Sequence, residues 1–595
     1  MSQGFDFTIV IGGAAGQGIA TPGNILARIF VRRGLHLHAY NAYQSIIRGG
    51  HILLTMRVRD QEALSHGDRM DLLLCLNQDT MTRHLRHLGP GSYAVYNTDT
   101  ITPVDHQEGV NLCGLPVIEV TGERRNRLAQ NTAALGVIVH ILGLDFEVLE
   151  SALTLQFQRK GDAVVSSNVS VARKAFDYAQ ENFPALASPM PRSPSPLAVW
   201  TGNEALAMGG AAAGVKFYCA YPMSPSTGVL HWMARNAREL GIMVRQVEDE
   251  IGVANMAIGA AHTGARAMCA TSGGGFALMT EAIGSASMME IPVVFINVMR
   301  AGPSTGVPTK TEQGDLWQVL GASQGDFERI VVAPRDAHDA FATIPEVFNL
   351  ADRYQCPGIV VSDLLISEGT FSVPPEKIDM TPPIERGKLI RDANGTPSAY
   401  QRYLDTPDGI SPRAVPGVPG HVHVVATDEH DEDGVLISDE FTNPLKRRQM
   451  VEKRARKMED YLTRVPPPVL EGDTGADVTL VGWGSTAGVI AEAMEQLRED
   501  GLRVNRVAVK WILPFHGEAM VAALSGAKQT LIVENNHSGQ FARFLRGETG
   551  IAADGHIRKY DGEPFMPHHV ADGVRAHVNG LVPGGVFVPE QEIIV

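Results

Sequence analysis

Residues 244–300 read VRQVEDEIGVANMAIGAAHTGARAMCATSGGGFALMTEAIGSASMMEIPVVFINVMR. Residues 244–247 predict a strand that ends at Glu248-Asp249-Glu250, and residues 251–261 a helix dense in Ala and Gly. A third strand is expected over 267–270, then Thr271-Ser272-Gly273-Gly274-Gly275, a Met-rich helix over 276–289, and a fourth strand over 292–298 that stops at Arg300. Upstream, residues 217–220 predict a strand that delivers the loop Tyr221-Pro222-Met223-Ser224-Pro225-Ser226-Thr227. Strands alternating with helices imply a parallel sheet covered on both faces. In such a sheet the chemistry gathers in loops at the carboxyl ends of the strands. Three loops qualify: 221–227, 248–252, and the segment from Arg300 through Ser304, Thr305 and Thr309.

Working outward, the chain of 595 residues is long enough for several domains. Residues 7–11 predict a strand, followed by Gly12-Gly13-Ala14-Ala15-Gly16-Gln17-Gly18 and a helix over about 19–33. Strand, glycine loop and helix can cradle a phosphate on backbone N–H groups. Ala14 stands where the second glycine of a dinucleotide fingerprint belongs, so a tight turn with close backbone approach is an equal reading. Arg48-Gly49-Gly50 precedes a strand at 51–56, residues 70–75 predict another, and 132–144 and 146–156 read as helices. Residues 184–196 hold Pro184, Pro189, Pro191, Pro194 and Pro196, which excludes a helix or a central strand and makes a semi-rigid linker. Residues 370–470 carry little periodicity until a charged helix over 446–462. The acidic run 428–433, near His421 and His423, is read as a solvated loop, because consecutive carboxylates cannot all converge on one ion. A last α/β unit begins near residue 477, with strands over 478–482, 504–509 and 529–534 and a helix over 487–497.

The formal charge of −15 argues against nucleic acid or an anionic membrane as the main partner. No apolar run is long enough to cross a bilayer, and the first seven residues lack the basic-then-apolar order of a signal peptide, so a cytoplasmic protein is expected. Five cysteines, no two closer than 38 positions, form no C-x-x-C and encode no local zinc or cluster site.

Taken singly, the loop residues leave two readings open. Glu250 at a helix start is stabilised by the helix dipole or serves as a buried base. Arg300 can bind a carboxylate with two parallel hydrogen bonds or form a surface ion pair. Ser224, between Pro222 and Pro225, displays its hydroxyl or simply forms a rigid turn.

Together, Tyr221-Pro222-Met223-Ser224-Pro225-Ser226, the helix start at Glu250-Ile251-Gly252, and the segment Arg300 to Thr309 resemble the α subunit of the 2-oxoacid:ferredoxin oxidoreductases, most of all those of the 2-oxoglutarate type. The glycine loop and Arg48-Gly49-Gly50 are similar to that family's γ domain, fused here ahead of α. Gly482-Trp483-Gly484-Ser485 and Glu534-Asn535-Asn536-His537-Ser538-Gly539-Gln540 resemble its transketolase C-terminal-like domain. The resemblance implies a multidomain α/β protein: a γ-type domain over 1–183, the linker 184–196, a thiamine-diphosphate pyrimidine-binding domain over 197–370, an insert and linker over 371–470, and the transketolase C-terminal-like domain over 471–595.

By the same resemblance, Glu250 matches the glutamate that hydrogen-bonds N1′ of the aminopyrimidine and favours the imino tautomer that removes the thiazolium C2 proton, with Tyr221 and Pro222 on the cofactor loop. Arg300 matches the arginine that binds the substrate carboxylate, Thr309 the threonine beside it, and Ser224 a position where many members have threonine. The family reaction converts a 2-oxoacid and coenzyme A to an acyl-CoA and CO₂, passing two electrons to ferredoxin. No Gly-Asp-Gly is present, so the resemblance implies a β subunit that carries Mg²⁺, the diphosphate site and a [4Fe–4S] cluster, in an (αβ)₂ heterotetramer inactive without β. Pyruvate or another 2-oxoacid is the alternative substrate. A nucleotide-binding regulatory module centred on Gly12–Gly18 is the alternative of another class.

Overall fold

The computed structural model describes residues 4–44, 49–122, 127–393, 400–437 and 443–590. The chain divides into two units, one built on residues up to Trp200 with Gly369–Ile378, the other on Thr201–Glu368 and Asp379–Pro589.

In the first unit an eight-stranded sheet runs in the order Asn111–Leu115, Tyr93–Asn97, Leu72–Cys75, Asp6–Ala15, Gly49–Arg59, His36–Ala42, Thr370–Val373, Ala198–Thr201. Asp6–Ala15 pairs in parallel with Leu72–Cys75 and antiparallel with Gly49–Arg59. Residues 12–15, expected as loop, continue this strand. The turn shrinks to residues 16–18, where Gly16 and Gly18 hold φ of 87° and 80°. Gly12 lies against Thr80, whose Cγ2 would sit 2.3 Å from an added Cβ, so the glycine there serves close packing. Gly49 and Gly50 open a strand; Arg48 lies outside the described residues. The prolines of 184–196 lie in irregular chain that is tied down: the Arg33 guanidinium donates to the carbonyls of Met190 at 2.8 Å and Pro191 at 3.2 Å.

The second unit holds two larger sheets. One has seven strands in the order Trp511–Leu513, Ile330–Val332, Gly358–Asp363, Val294–Met299, Arg266–Thr271, Val215–Ala220, Met243–Gln246. All neighbours are parallel except the edge pair of Trp511–Leu513 and Ile330–Val332. Val294–Met299 and Arg266–Thr271 are buried at every position, as strands covered on both faces must be. The helix Gly202–Ala212 opens on a reciprocal cap, in which Thr201 Oγ1 accepts from the Glu204 N–H while the Glu204 carboxylate accepts from the Thr201 N–H. Helix Glu250–His262 buries Val253, Ala254, Ala257, Ile258 and Ala261, and its small side chains let Gly273–Met288 pack beside it. The other sheet has six strands: Leu470–Gly472, Val504–Val509, Val478–Trp483, Thr530–Glu534, Gly555–Arg558, Val586–Phe587. One apolar core runs through both sheets, from Cys219, Phe276 and Phe295 to Trp483, Ile512 and Phe541.

Two expectations for 370–470 change. Residues 370–373 form a strand of the first unit's sheet. The acidic run is not a free solvated loop. Glu429 accepts two bonds from the Arg454 guanidinium, at 3.0 and 2.9 Å, and also pairs with Arg447. Glu432 pairs with Lys446 at 2.9 Å. These cations all belong to helix Pro444–Arg456, whose basic face the run neutralises. The same helix anchors the insert to the sheet. Fully buried Glu290 accepts from Lys453 at 2.6 Å and Lys457 at 3.4 Å. Burial alone pushes Glu290 up, but the two ammonium groups outweigh it and hold the carboxyl well below its usual range.

Candidate active site

Strand Val215–Ala220 ends in the Tyr221–Ser226 loop, strand Arg266–Thr271 in Ser272-Gly273-Gly274, and strand Val294–Met299 in Arg300. Parallel pairing puts all three ends on one edge of the sheet. The first loop is held from behind: buried Asn203 donates to the Pro225 carbonyl at 2.8 Å, and Ser226 Oγ to that of Met223 at 2.8 Å. Arg300 Nη1 donates to the Ser224 carbonyl at 2.7 Å, so the sequence-expected pair does meet. The contact runs to the Ser224 backbone.

Arg300 lines a cavity of about 490 Å³. Its walls come from Gly273 and Gly274, from Gly302, Pro303 and Ser304, from Glu312 to Asp315, and from Asn536 to Gln540 of the last α/β region. Ser304 takes a left-handed φ of 59°. Gly306 holds φ 54°, and an added Cβ there would meet the Ala301 carbonyl oxygen at 1.9 Å, so the hairpin Ala301–Val307 closes only with glycine.

Three charged side chains face the cavity: Arg300, Glu312 and Asp315. Burial raises both carboxyls above their usual range. Asn297 Nδ2 at 3.0 Å and the Arg300 charge partly offset this at Asp315, and the Gly302 N–H at 3.3 Å does so at Glu312. Burial also lowers Arg300, with Asp315 opposing.

Glu250 stands just behind the wall. It begins its helix after the cap Asp249, whose carboxylate accepts from the Gly252 N–H at 2.7 Å. A Cβ on Gly275 would fall 2.4 Å from Glu250 Oε1 and 2.1 Å from Thr271 Oγ1. Only glycine lets the helix that opens the cavity wall close onto this carboxyl. Thr271 Oγ1 in turn reaches Met223 Sδ at 3.8 Å, which joins the Glu250 neighbourhood to the first loop. Glu250 Oε1 is buried with no hydrogen-bond donor among the described residues. Burial first, and then the Asp249 charge, raises its pKa. A buried acceptor without a donor fits an aminopyrimidine ring that presents an N–H, so these residues fit the pyrimidine half of thiamine diphosphate.

Of the sequence-expected positions Arg300 is in the cavity lining, and Ser224, Glu250, Thr309, Tyr221 and Pro222 lie off it. Thr309 is buried at 4% exposure, Tyr221 is 37% exposed, and Pro222 is half-buried beside it. Sequence reasoning missed Gln313. Fully buried, its Oε1 accepts from the Asn535 N–H at 3.0 Å and its Nε2 donates to the Trp483 carbonyl at 2.8 Å. Its backbone N–H donates to the Asn535 carbonyl at 2.7 Å, and its own carbonyl accepts from Asn536 Nδ2 at 3.1 Å. Gln313 thereby latches the wall carrying Glu312 and Asp315 to the wall carrying Asn536 to Gln540. No local pattern announces a residue whose partners lie 170 and 222 positions away. Glu534 and Asn536 build the far wall: Glu534 accepts from the N–H groups of Phe541 and Ala542, and Asn536 Oδ1 from that of Gly539.

Residues 208–450 match the family described as pyruvate flavodoxin/ferredoxin oxidoreductase, thiamine diphosphate-binding. Residues 8–178 match pyruvate ferredoxin/flavodoxin oxidoreductase, and 476–568 match pyruvate:ferredoxin oxidoreductase core domain II. The 2-oxoacid:ferredoxin oxidoreductase 2 subunit alpha of Aeropyrum pernix is 34% identical over 96% of this chain and 97% of its own length. The 2-oxoglutarate oxidoreductase subunit KorA of Mycobacterium tuberculosis is 29% identical over 88% of this chain and 83% of its own. Among solved structures, the 2-oxoglutarate:ferredoxin oxidoreductase of Magnetococcus marinus, with 2-oxoglutarate, coenzyme A and succinyl-CoA bound, superposes with a TM-score of 0.89 at 30% identity, covering 96% of this chain and 99% of that one.

Proposed function

The chain belongs to the 2-oxoacid:ferredoxin oxidoreductases as an alpha subunit with a γ-like N-terminal domain, and from that premise we propose that it works on 2-oxoglutarate: 2-oxoglutarate, coenzyme A and two oxidised ferredoxins give succinyl-CoA, CO₂, two reduced ferredoxins and a proton. The observation that carries the reading is the position of Arg300. One of its five N–H donors is used on Ser224, and the others, which take no hydrogen-bond acceptor among the described residues, can hold a carboxylate at the mouth of the loops that surround Glu250. Thiamine diphosphate, when bound, supplies the electron sink that lets a 2-oxoacid lose CO₂. Glu250 would hold the ring by a hydrogen bond between N1′ and its unpartnered Oε1, which favours the imino tautomer. Arg300 fixes the carboxylate beside the ketone. The Gly273–Gly275 turn brings the two within one small neighbourhood. The match to a structure that holds 2-oxoglutarate supports the choice of oxoacid.

The diphosphate has no Gly-Asp-Gly here, and the cysteines Cys75, Cys113, Cys219, Cys269 and Cys356 are all buried and scattered. We assign Mg²⁺, the diphosphate site and a [4Fe–4S] cluster to a β subunit in a cytoplasmic (αβ)₂ complex. No helix among the described residues is long and apolar enough to cross a membrane. The test is a panel of 2-oxoacids with coenzyme A on the copurified complex, read by ferredoxin reduction. The complex should be brown, bleach on adding substrates, and give its highest kcat/KM with 2-oxoglutarate. A higher value with pyruvate or a branched-chain oxoacid moves the assignment to that substrate. The isolated chain should hold no iron and bind thiamine diphosphate weakly; tight stoichiometric binding by it alone overturns the shared site.

A further inference from the structure

At the opposite edge of the seven-stranded sheet lies a second cavity, of about 910 Å³. It opens where the chain enters strands Val215–Ala220 and Arg266–Thr271, lined there by Gly214, Lys216, Gly264 and Arg266, and it is bordered by Ile384, Arg386 and Arg391 of the insert. A six-residue strand spans roughly 20 Å, which separates this hollow from the Arg300 edge.

Its charge is out of balance. Arg266, Arg386 and the buried Arg413 behind the wall all turn to a single carboxylate, Asp352, at 2.9, 3.0 and 3.8 Å. Arg386 Nε is the atom paired with Asp352 and its Nη2 donates to the Gly264 carbonyl at 2.9 Å, whereas Arg413 Nη2 has no hydrogen-bond acceptor among the described residues. Burial, followed by the nearby Arg402, holds Arg413 below its usual pKa, and the Arg386 charge adds to that effect. Arg391 donates to the Gly264 carbonyl at 3.2 Å and Lys216 to that of Leu240 at 3.4 Å, both neutral acceptors, and neither cation has an ion pair among the described residues. The other carboxylate that acts on Arg266 is Glu385, exposed at the rim, and Asp392 follows Arg391 in the chain. On a chain of net charge −15, four cations, Lys216, Arg266, Arg386 and Arg391, line one hollow, with Arg413 behind its wall. Half-exposed Ile384 and Val415 give it an apolar wall.

We propose that this hollow binds a nucleoside di- or triphosphate, independently of the oxoacid site. Guanidiniums on a fixed frame favour phosphate oxygens, which accept two donors at once. The volume falls in the range of small-molecule sites, and an apolar wall beside a cationic floor suits a base joined to a polyphosphate. Arg266 forms the floor and, with Arg413 behind it, holds the fold. Lys216 and Arg391 are exposed and are the groups free to close on the phosphates.

The test uses the copurified complex with thiamine diphosphate and saturating coenzyme A, so that both of those sites are filled. Calorimetric titrations with ADP and, separately, with inorganic diphosphate are run on wild type and on Lys216→Ala/Arg391→Ala. One ADP should bind per chain, and the double variant should bind it at least roughly tenfold more weakly, since two charged hydrogen bonds to the phosphates are lost. Oxoacid oxidation without ADP should be the same in both proteins. ADP binding more tightly than diphosphate supports the nucleotide. Diphosphate binding as tightly as ADP overturns the nucleotide and leaves a site for phosphate groups alone. No binding of either at millimolar concentration, or equal affinity in the double variant, overturns the site altogether.

Discussion

Replacing Arg300 by lysine keeps the charge and removes the planar fork. The structure separates what this does to folding from what it does to substrate. Among the described residues the one hydrogen bond of Arg300, to the Ser224 carbonyl, lies in an exposed loop where water can replace it. Its loss should therefore change stability by less than about 1 kcal/mol. Toward the cavity, by contrast, a desolvated guanidinium stands opposite two carboxyls that burial keeps raised, so a bound carboxylate has no other permanent cation in the lining. Losing a charge-assisted bidentate bond there removes about 1.5–3 kcal/mol, roughly 10- to 150-fold in kcat/KM. Arg300→Ala, which leaves the carboxylate unpaired, should remove about 2–5 kcal/mol. The assay is kcat/KM for 2-oxoglutarate and for pyruvate by ferredoxin reduction on the copurified complex, with the apparent Tm measured beside it. Both substrates should fall by a similar factor, because both present the carboxylate next to the ketone. Unchanged values in Arg300→Lys, or a Tm loss that parallels the activity loss, refute the reasoning and reduce Arg300 to a loop brace.

Glu250→Gln should lower turnover by roughly 10²–10⁴-fold while the complex still retains thiamine diphosphate, since shape is kept and the anion is lost; near wild-type turnover leaves Glu250 as a helix-start charge. Gln313→Leu strands the Asn535 N–H and the Trp483 carbonyl without partners, so about 2–6 kcal/mol should be lost, seen as a lower Tm and a raised KM for the oxoacid; an unchanged Tm removes the latch. Asp363, at the end of strand Gly358–Asp363, is pushed by burial from 3.8 up to about 6. A raised carboxyl contributes stability that is present below its unfolded pKa and lost as pH climbs through the folded one. The Tm of Asp363→Asn should thus gain on wild type between about pH 4 and 7, by the equivalent of roughly 3 kcal/mol; a Tm difference flat across that range contradicts it.

The legible parts of this chain are those whose cause is local. Alternating apolar runs and small-residue helices announce the parallel sheet, and the loops that follow Ala220 and Met299 announce the edge where Ser224 and Arg300 meet. Glu250 is legible because a carboxylate at the start of an Ala/Gly helix is a sequence feature. What escaped depends on distant partners or on segments too short to show a period. Thr370–Val373 has four residues and finds its sheet beside His36–Ala42, and Trp511–Leu513 has three and joins the sheet of residues 215–363. The acidic run looked solvated because its cations lie on a helix that begins at Pro444, beyond any local window. Thr309 illustrates the limit from the other side. A hydroxyl in the right loop was expected at the substrate, yet the hairpin closed by Gly306 turns that residue into the interior.

The composition of the cavity bears on where selectivity resides. Among the lining residues Arg300 is the one permanent cation, and it faces Glu312 and Asp315 across a space of about 490 Å³. Such a wall can hold the carboxylate that every 2-oxoacid shares. A second carboxylate, which sets 2-oxoglutarate apart from pyruvate, would meet the two acidic groups unless another cation stands nearby. Coulomb repulsion between unit charges 4–6 Å apart is about 3–4 kcal/mol at the effective dielectric of a protein surface, enough to reverse a preference of a hundredfold. Discrimination for the dicarboxylate therefore requires either protonation of Glu312 or Asp315, which their raised pKa values favour, or a cation from the partner subunit. The two origins separate by pH. Protonation makes the preference for 2-oxoglutarate over pyruvate decay as pH rises, while a partner lysine or arginine holds it constant up to pH 9. Because the Gly302 N–H at Glu312 and Asn297 with the Arg300 charge at Asp315 oppose the rise that burial causes, the constant profile is the expected one, and a ratio that falls as pH rises would place the selectivity on this chain instead.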